Sequence, residues 1–273
     1  MKKNLLFSVL LTMIIILAAA CSEKSQTDPQ QNAESQQAAQ TDPVELTISA
    51  AASLQDAMEE IKTQFANVEP NISLAFNYGG SGALQQQIQE GAPVDLFFSA
   101  AQDKYDLLVE AGLIDASEGK TLLGNELVLV APVDAEVNEG DFTYMTNDAV
   151  KQIALGTPDS VPAGKYAEQV LQGLNIYDAV KDKIVFAKDV RSVLNYVETK
   201  SVDLGAVYKT DALTSDQVKI LSSAPTHLHD PIVYPCGVIK DSKNKEAAMK
   251  FYNYLQGEEA KNIFVKYGFT VLN

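Results

Sequence analysis

The stretch Leu46–Ile61, LTISAAASLQDAMEEI, restricts the fold more than any other part of the chain. Leu46 and Ile48 alternate with Thr47 and Ser49, the two-residue period of a strand. Three alanines follow. Leu54, Ala57, Met58, Ile61 and Phe65 then recur at three- and four-residue steps, which is one apolar helical face. Ser53 stands at the N-cap position with Asp56 three residues on, close to a capping box. A strand that runs directly into a capped helix turns N–H groups outward at the helix's positive end, a geometry that suits an anion. The plainer alternative is that Ser53 caps its own helix and nothing more.

The same device recurs along the chain. Ile72–Asn77 alternates as a strand, and Gly79-Gly80-Ser81-Gly82 turns into a helix marked by Leu84 and Ile88 and stopped by Gly91 and Pro93. Val94–Ser99 is a continuous apolar run of the kind found in buried parallel strands, Lys104–Ala111 a short helix, and Glu126–Ala131 another buried strand. A second set follows: strand Ala154–Gly156, a helix from Ala163 to Leu174, strand Val185–Ala187, a helix from Val190 to Thr199, and strand Leu204–Tyr208. Strand Ile232–Ile239 and one long helix from Lys243 close the chain. Alternating units of this length predict an α/β fold with mostly parallel sheets and helices on both faces.

Five junctions carry groups that suit an anion. Ser53 and Ser81 each offer a hydroxyl beside a helix N-terminus. Val161-Pro162-Ala163-Gly164 opens a helix with proline preset for the first turn and a small residue after it. Asp189-Val190-Arg191 opens another, and Tyr208 ends an apolar strand with a phenol able to donate one hydrogen bond. In open α/β sheets ligands sit at the carboxyl ends of strands, where these junctions fall. Each junction also has a local reading, as a cap, a turn or core.

The N-terminus predicts export. Lys2 and Lys3 precede the apolar run Leu5–Ala20, the layout of a secretory signal and short for a permanent span. The run ends LAAAC, which resembles the lipobox of bacterial lipoproteins, in which the cysteine is acylated; the alternative is a plain signal cut near Ala20. Removing residues 1–20 would take the side-chain balance from −15 to −17. Ser22–Pro43, rich in Gln, Ser, Asp and Ala, reads as a tether, and 22 flexible residues span roughly 25 Å. With Cys21 carrying lipid, Cys236 has no partner for a disulfide and reads as a buried small hydrophobe within VYPCGVI. An acidic chain without a Lys/Arg-rich run is repelled by phosphate backbones, so nucleic acid is an unsuitable partner.

AAASLQDAM, GGSG, PVDLFFSA, NELVLVAP, TPDSVPAGKYAEQVL, KDVRSVLNYVE, LGAVYKTDA and GEEAKNIFVKYGF occur in this order over Val44–Asn273. Together they resemble the molybdate-binding lipoproteins that serve bacterial ABC-type importers, VPAGKYA and the spacing from DVR to VY being the most specific pieces. The resemblance implies a two-lobed periplasmic-binding-protein fold that closes on its ligand by hinge bending. Lobe 1 would comprise residues 44–126 and 232–273, and lobe 2 residues 127–231, with Leu127–Ala131 and Ile232–Ile239 as crossover strands. It places the oxyanion contacts on Ser53, Ser81, Ala163, Val190 and Tyr208. Members of the family often carry a second hydroxyl before the Ser81 position, where this chain has Gly80. It also implies molybdate or tungstate as ligand, a membrane permease as partner, a monomer without cofactor, and a place on the outer face of the cytoplasmic membrane or in a periplasm. Donor-only chemistry agrees with this, since molybdate accepts hydrogen bonds and has none to give at neutral pH, whereas hydrogen phosphate must also donate. Arg191, next to Val190, is expected to act at the edge of the cleft.

Three rivals remain at this level. A sibling of the same fold would take sulfate or phosphate. An enzyme lacks support, because no Walker loop, GxGxxG or GxSxG is present. A transition-metal protein would use His227 and His229, two apart on a strand with Asp230 nearby, although a surface loop between Pro225 and Pro231 reads better.

Overall fold

Alternation in VELTISAA produces β1 (Val44–Ala51), with Leu46 and Ile48 fully buried and Glu45 outside. The computed structural model describes residues 43–137 and 139–272; the export signal, Cys21 and the tether up to residue 42 lie outside the described residues. A 3-10 turn (Ala52–Leu54) leads from β1 into α1 (Gln55–Val68), whose Ala57, Met58, Ile61 and Phe65 form the expected buried stripe. Then come β2 (Ile72–Gly79), α2 (Ser81–Gln89), β3 (Leu96–Phe98), α3 (Gln102–Glu110) and β4 (Ile114–Gly124). The chain moves to a second sheet with β5 (Leu127–Pro132), β6 (Ile153–Gly156), α4 (Pro162–Gly173), α5 (Tyr177–Val180), β7 (Ile184–Ala187), α6 (Val190–Glu198), β8 (Leu204–Tyr208), α7 (Lys209–Ala212) and β9 (Val218–Ser223). It returns through β10 (Val233–Ile239) to α8 (Lys245–Leu255), α9 (Glu258–Lys266) and β11 (Thr270–Val271).

The strand orders are β11-β4-β10-β3-β1-β2 and β7-β6-β8-β5-β9. The two-lobed α/β reading holds, with one refinement: both sheets are mixed. β1 runs parallel to β2 and β3, and β6 parallel to β7 and β8. β5 lies antiparallel to both β8 and β9, and β10 antiparallel to both β3 and β4. These two strands carry the chain between sheets, and each is buried along nearly its whole length. Burial on both faces, not parallel direction, is what produces a continuous apolar run, so ELVLVA and VYPCGVI mark buried strands without marking their direction.

β3 shows the layering. Leu96 and Phe98 enter the large core, while Phe97 points the other way, into a smaller cluster with Leu84, Ile88, Tyr105 and Leu108 from α2 and α3. The two connections between sheets run side by side. Asn125 and Glu126 join β4 to β5, residues 224–232 join β9 to β10, and the Asn125 N–H donates to the Ile232 carbonyl at 3.2 Å. These two connections, of two and nine residues, lie where the resemblance expects the hinge.

Several local expectations are corrected. Ser53 is not an N-cap: Ala51 occupies that place and Ser53 lies inside the 3-10 turn, so the capping box with Asp56 does not form. β4 escapes detection because its half-exposed positions are polar or charged and dilute the apolar alternation, and β9 because its apolar run is short, with Ile220 exposed, and ends in two serines. The C-terminal helix is two helices, α8 and α9, parted at Gln256 and Gly257. His227 and His229 sit in the surface loop that the flanking prolines favour, and the His229 Nδ1 lies 2.7 Å from the Asp230 carbonyl oxygen. Among the described residues no group of three His, Cys, Asp or Glu is arranged to hold a metal. Cys236 is fully buried, and burial pushes its thiol well above the ordinary value.

Candidate functional site

Parallel strands deliver their carboxyl ends to the same edge of each sheet, and the two edges face each other. From lobe 1 come Ala51 to Ser53 at the end of β1, Gly79 to Ser81 at the end of β2, and Ala100 beyond β3. From lobe 2 come Val161 to Ala163 at the start of α4, Val190 at the start of α6, and Tyr208 at the end of β8. Together they line one cavity of about 10 Å³. All five candidate residues, Ser53, Ser81, Ala163, Val190 and Tyr208, therefore meet at one place. Larger hollows of about 230 and 430 Å³ lie elsewhere, one at the start of α8 and one beside β5, and neither brings together helix N-termini from both lobes.

The hydroxyls are nearly or fully buried, and their bonding leaves protons for the cavity. Ser81 Oγ accepts from the Ala100 N–H at 2.9 Å. A backbone N–H can only donate, so the Ser81 proton remains available. Ser53 Oγ lies 2.9 Å from Tyr234 Oη, whose other partner is the Asn125 side-chain amide at 3.0 Å. The Tyr208 hydroxyl is buried and has no hydrogen-bond partner among the described residues. Burial first, and the neighbouring Tyr234 second, push its phenol well above the ordinary value, so Tyr208 is a neutral donor. A buried hydroxyl with nothing to bond costs free energy unless a ligand satisfies it.

Backbone donors complete the lining. The first N–H groups of a helix have no intrahelical acceptor. Ser81 and Val190 are the first residues of α2 and α6, and Ala163 is the second of α4 after Pro162, which has no N–H to lose. Gly164 is the residue that lets α4 start there, since a Cβ would collide with the Gly156 carbonyl of β6. Asp189 caps α6 by accepting from the Ser192 N–H at 2.7 Å, which leaves the Val190 N–H uncapped.

Among the described residues no lysine or arginine lines the cavity. The cations at its edge are bound to carboxylates. Arg191 reaches across to Asp56 of α1, donates from Nη1 to Thr214 Oγ1 at 2.8 Å, and places Nε 2.8 Å from Asp211 Oδ1, without the alignment of a hydrogen bond. Lys165 of α4 lies 3.2 Å from Asp103 of α3 and 3.6 Å from Asp230. Attraction for an anion inside therefore falls to helix dipoles and oriented N–H and O–H groups.

The lobes meet closely above the site. The Gly82 N–H donates to the Ser160 carbonyl across the cleft at 2.9 Å. A Cβ at Gly82 would stand 2.8 Å from Ser160 Cα, and one at Gly80 would stand 2.6 Å from the Ser160 oxygen. Gly80 thus occupies the place where a second hydroxyl was considered, and its missing side chain lets the lobes approach. Asn125, Tyr234, Ala100 and Gly82 were not recognised in the sequence as parts of the site. NELVLVAP and VYPCGVI advertise buried strands, and nothing in either pattern marks Asn125 or Tyr234.

The pattern of bacterial extracellular solute-binding proteins matches residues 46–270. The chain is 48% identical over 269 residues, 98% of each chain, to YvgL of Bacillus subtilis, a candidate ABC transporter substrate-binding lipoprotein. It is 39% identical over 235 residues to the molybdate-binding protein ModA of Escherichia coli, covering 83% of this chain and 89% of that one. Among solved structures, the substrate-binding domain of a candidate molybdenum ABC transporter from Clostridium difficile superposes with a TM-score of 0.65 at 46% identity, covering 84% of this chain and all of that one. The chain belongs to the bacterial extracellular solute-binding protein family, and within it resembles the molybdate-binding members.

Proposed function

We propose that this protein captures molybdate, and with it tungstate, outside the cytoplasm and delivers it to an ABC permease. Ser53, Ser81 and Tyr208 give hydroxyl bonds, and the N–H groups at the starts of the 3-10 turn, α2, α4 and α6 supply the rest. The observation that carries this reading is the buried Tyr208 hydroxyl, without a hydrogen-bond partner among the described residues, in a small cavity lined by two serines and helix N-termini from both lobes. Such a shell favours an acceptor-only dianion over one that must donate. Lipid on Cys21 would hold the protein at the membrane while the tether gives it reach.

Thermal unfolding with molybdate, tungstate, sulfate and phosphate at equal concentrations tests the proposal. A ligand at 100 times its dissociation constant adds about 2.7 kcal/mol. For a domain of this size that raises the midpoint by roughly 5–10 °C. A rise with molybdate and tungstate alone is expected. A rise with sulfate or phosphate instead would move the protein to a sibling specificity, and no rise with any would end the oxyanion reading.

A further inference from the structure

A chain of hydrogen bonds runs from the hinge to Ser53, and its direction follows from chemistry. Asn125 Oδ1 accepts from the Glu126 N–H at 2.9 Å, which turns the amide's NH2 toward Thr210 Oγ1 at 2.8 Å and Tyr234 Oη at 3.0 Å. An amide nitrogen only donates, so Tyr234 accepts from Asn125. Among the described residues the only other partner of Tyr234 Oη is Ser53 Oγ. If Tyr234 accepted from Ser53 as well, the proton of a fully buried phenol would have no acceptor, which costs more than the bond supplies. Tyr234 therefore donates to Ser53. The single proton of Ser53 is left for the cavity.

We propose that Asn125 and Tyr234 are positioning residues that hold Ser53 as an obligate donor toward the bound ion, and so set the preference for oxyanions carrying no proton. The proposal rests on the oxyanion reading above. A ligand hydroxyl facing Ser53 would set donor against donor, and Ser53 could accept from it with its second lone pair only by turning its own proton away from the cavity, where no acceptor is found among the described residues. Tyr208 differs, because no neighbour among the described residues fixes its hydroxyl. The relay starts at the crossover: Asn125 lies between β4 and β5, Tyr234 on β10 beside the second connection, and Thr210 in lobe 2. The other amide hydrogen of Asn125 thus ties the second lobe to the residue that sets the polarity of the first.

The test compares molybdate with hydrogen arsenate, a tetrahedral dianion that differs by carrying one proton, at mildly alkaline pH. Dissociation constants are measured by calorimetry for the purified wild-type protein, Tyr234→Phe and Asn125→Asp. Asn125→Asp is nearly isosteric and reverses the relay: the carboxylate accepts from Tyr234, Tyr234 from Ser53, and Ser53 then presents lone pairs to the cavity. Added negative charge weakens both dianions alike, so the ratio of the two constants isolates polarity. Wild-type protein is expected to prefer molybdate strongly. Tyr234→Phe should lose about twofold to tenfold in molybdate affinity, the worth of one ordinary hydrogen bond. It should also narrow the preference, and Asn125→Asp should narrow it further, by about tenfold or more. Adding Ser53→Ala should abolish the effect of Tyr234→Phe on the ratio. Unchanged ratios in two folded variants overturn the proposal while leaving the oxyanion reading intact. Failure of the wild-type protein to bind any oxyanion overturns both.

Discussion

Gly82→Ala separates closure of the lobes from their stability. Gly82 is the second residue of α2 and has an ordinary negative φ, so alanine suits the local backbone. Within lobe 1 the change is favourable, up to about 0.5–1 kcal/mol from reduced freedom of the unfolded chain. Across the cleft it is not. The new methyl carbon would sit 2.8 Å from Ser160 Cα and 2.9 Å from the Asp159 carbonyl oxygen, both backbone atoms that cannot swing away. Overpacking of this kind costs about 1–3 kcal/mol, and it falls on the closed state only. The dissociation constant for molybdate should therefore rise roughly 5- to 150-fold, while the ligand-free protein unfolds at the same temperature or up to roughly 2–4 °C higher. Calorimetric titration, with thermal unfolding in the presence and absence of molybdate, reads both quantities. An unchanged dissociation constant would refute the role given to the glycine. Equal losses of stability with and without ligand would show that the lobes are shut at all times, and would refute the hinge.

Further outcomes follow from the same geometry. Tyr208→Phe removes a hydroxyl with no hydrogen-bond partner among the described residues, so ligand-free stability should hold or rise slightly, whereas molybdate affinity should fall roughly 10- to 100-fold, the worth of a bond to a charged acceptor; unaltered affinity in a titration would remove Tyr208 from the site. Ser81→Ala should lower both, because it also strands the Ala100 N–H that now bonds to Ser81 Oγ; a stability loss of about 1–3 kcal/mol in urea unfolding is expected. Asp211 is fully buried, and burial raises its carboxyl from 3.8 to about 7 against the opposing pull of Arg191. The folded protein thus holds a proton that the unfolded chain has released, so this group's contribution to stability declines as pH rises from about 4 to about 7. Asp211→Asn should flatten that slope in unfolding midpoints across the interval, and a parallel curve would show that Asp211 ionises freely.

Much of the architecture is legible from residue order because strand and helix periods are local. LTISAAASLQDAM shows its strand and its amphipathic helix through side chains two, three and four apart, and the structure places both within a few residues of the expected bounds. The five junctions were legible for a related reason, since strand-to-helix turns are where N–H groups go unsatisfied, whatever the rest of the chain does. The assignment of Ser53, Ser81, Ala163, Val190 and Tyr208 as ligand contacts rests on the resemblance to the molybdate-binding family. Strand direction was not legible. β5 and β10 each have two buried faces, and a hydrophobic run records burial without recording which way the neighbours point. β4 is the converse, a strand whose half-exposed and polar positions hide it.

By itself, then, the sequence determined the alternating α/β elements, the caps and turns that end them, and a set of donors suited to an anion. Only the tertiary structure decided that Ser53, Ser81, Ala163, Val190 and Tyr208 share one small cavity, since they come from five junctions on two sheets. It alone decided the partners of their hydroxyls. The Ala100 N–H turns the proton of Ser81 inward over a separation of 19 residues, and Tyr234 reaches Ser53 over 181. Hydrogen-bond direction depends on which donor or acceptor arrives from elsewhere in the chain, and no local pattern encodes that arrival. The same holds for Gly80 and Gly82, which read as turn residues until Ser160 of the other lobe is seen against them.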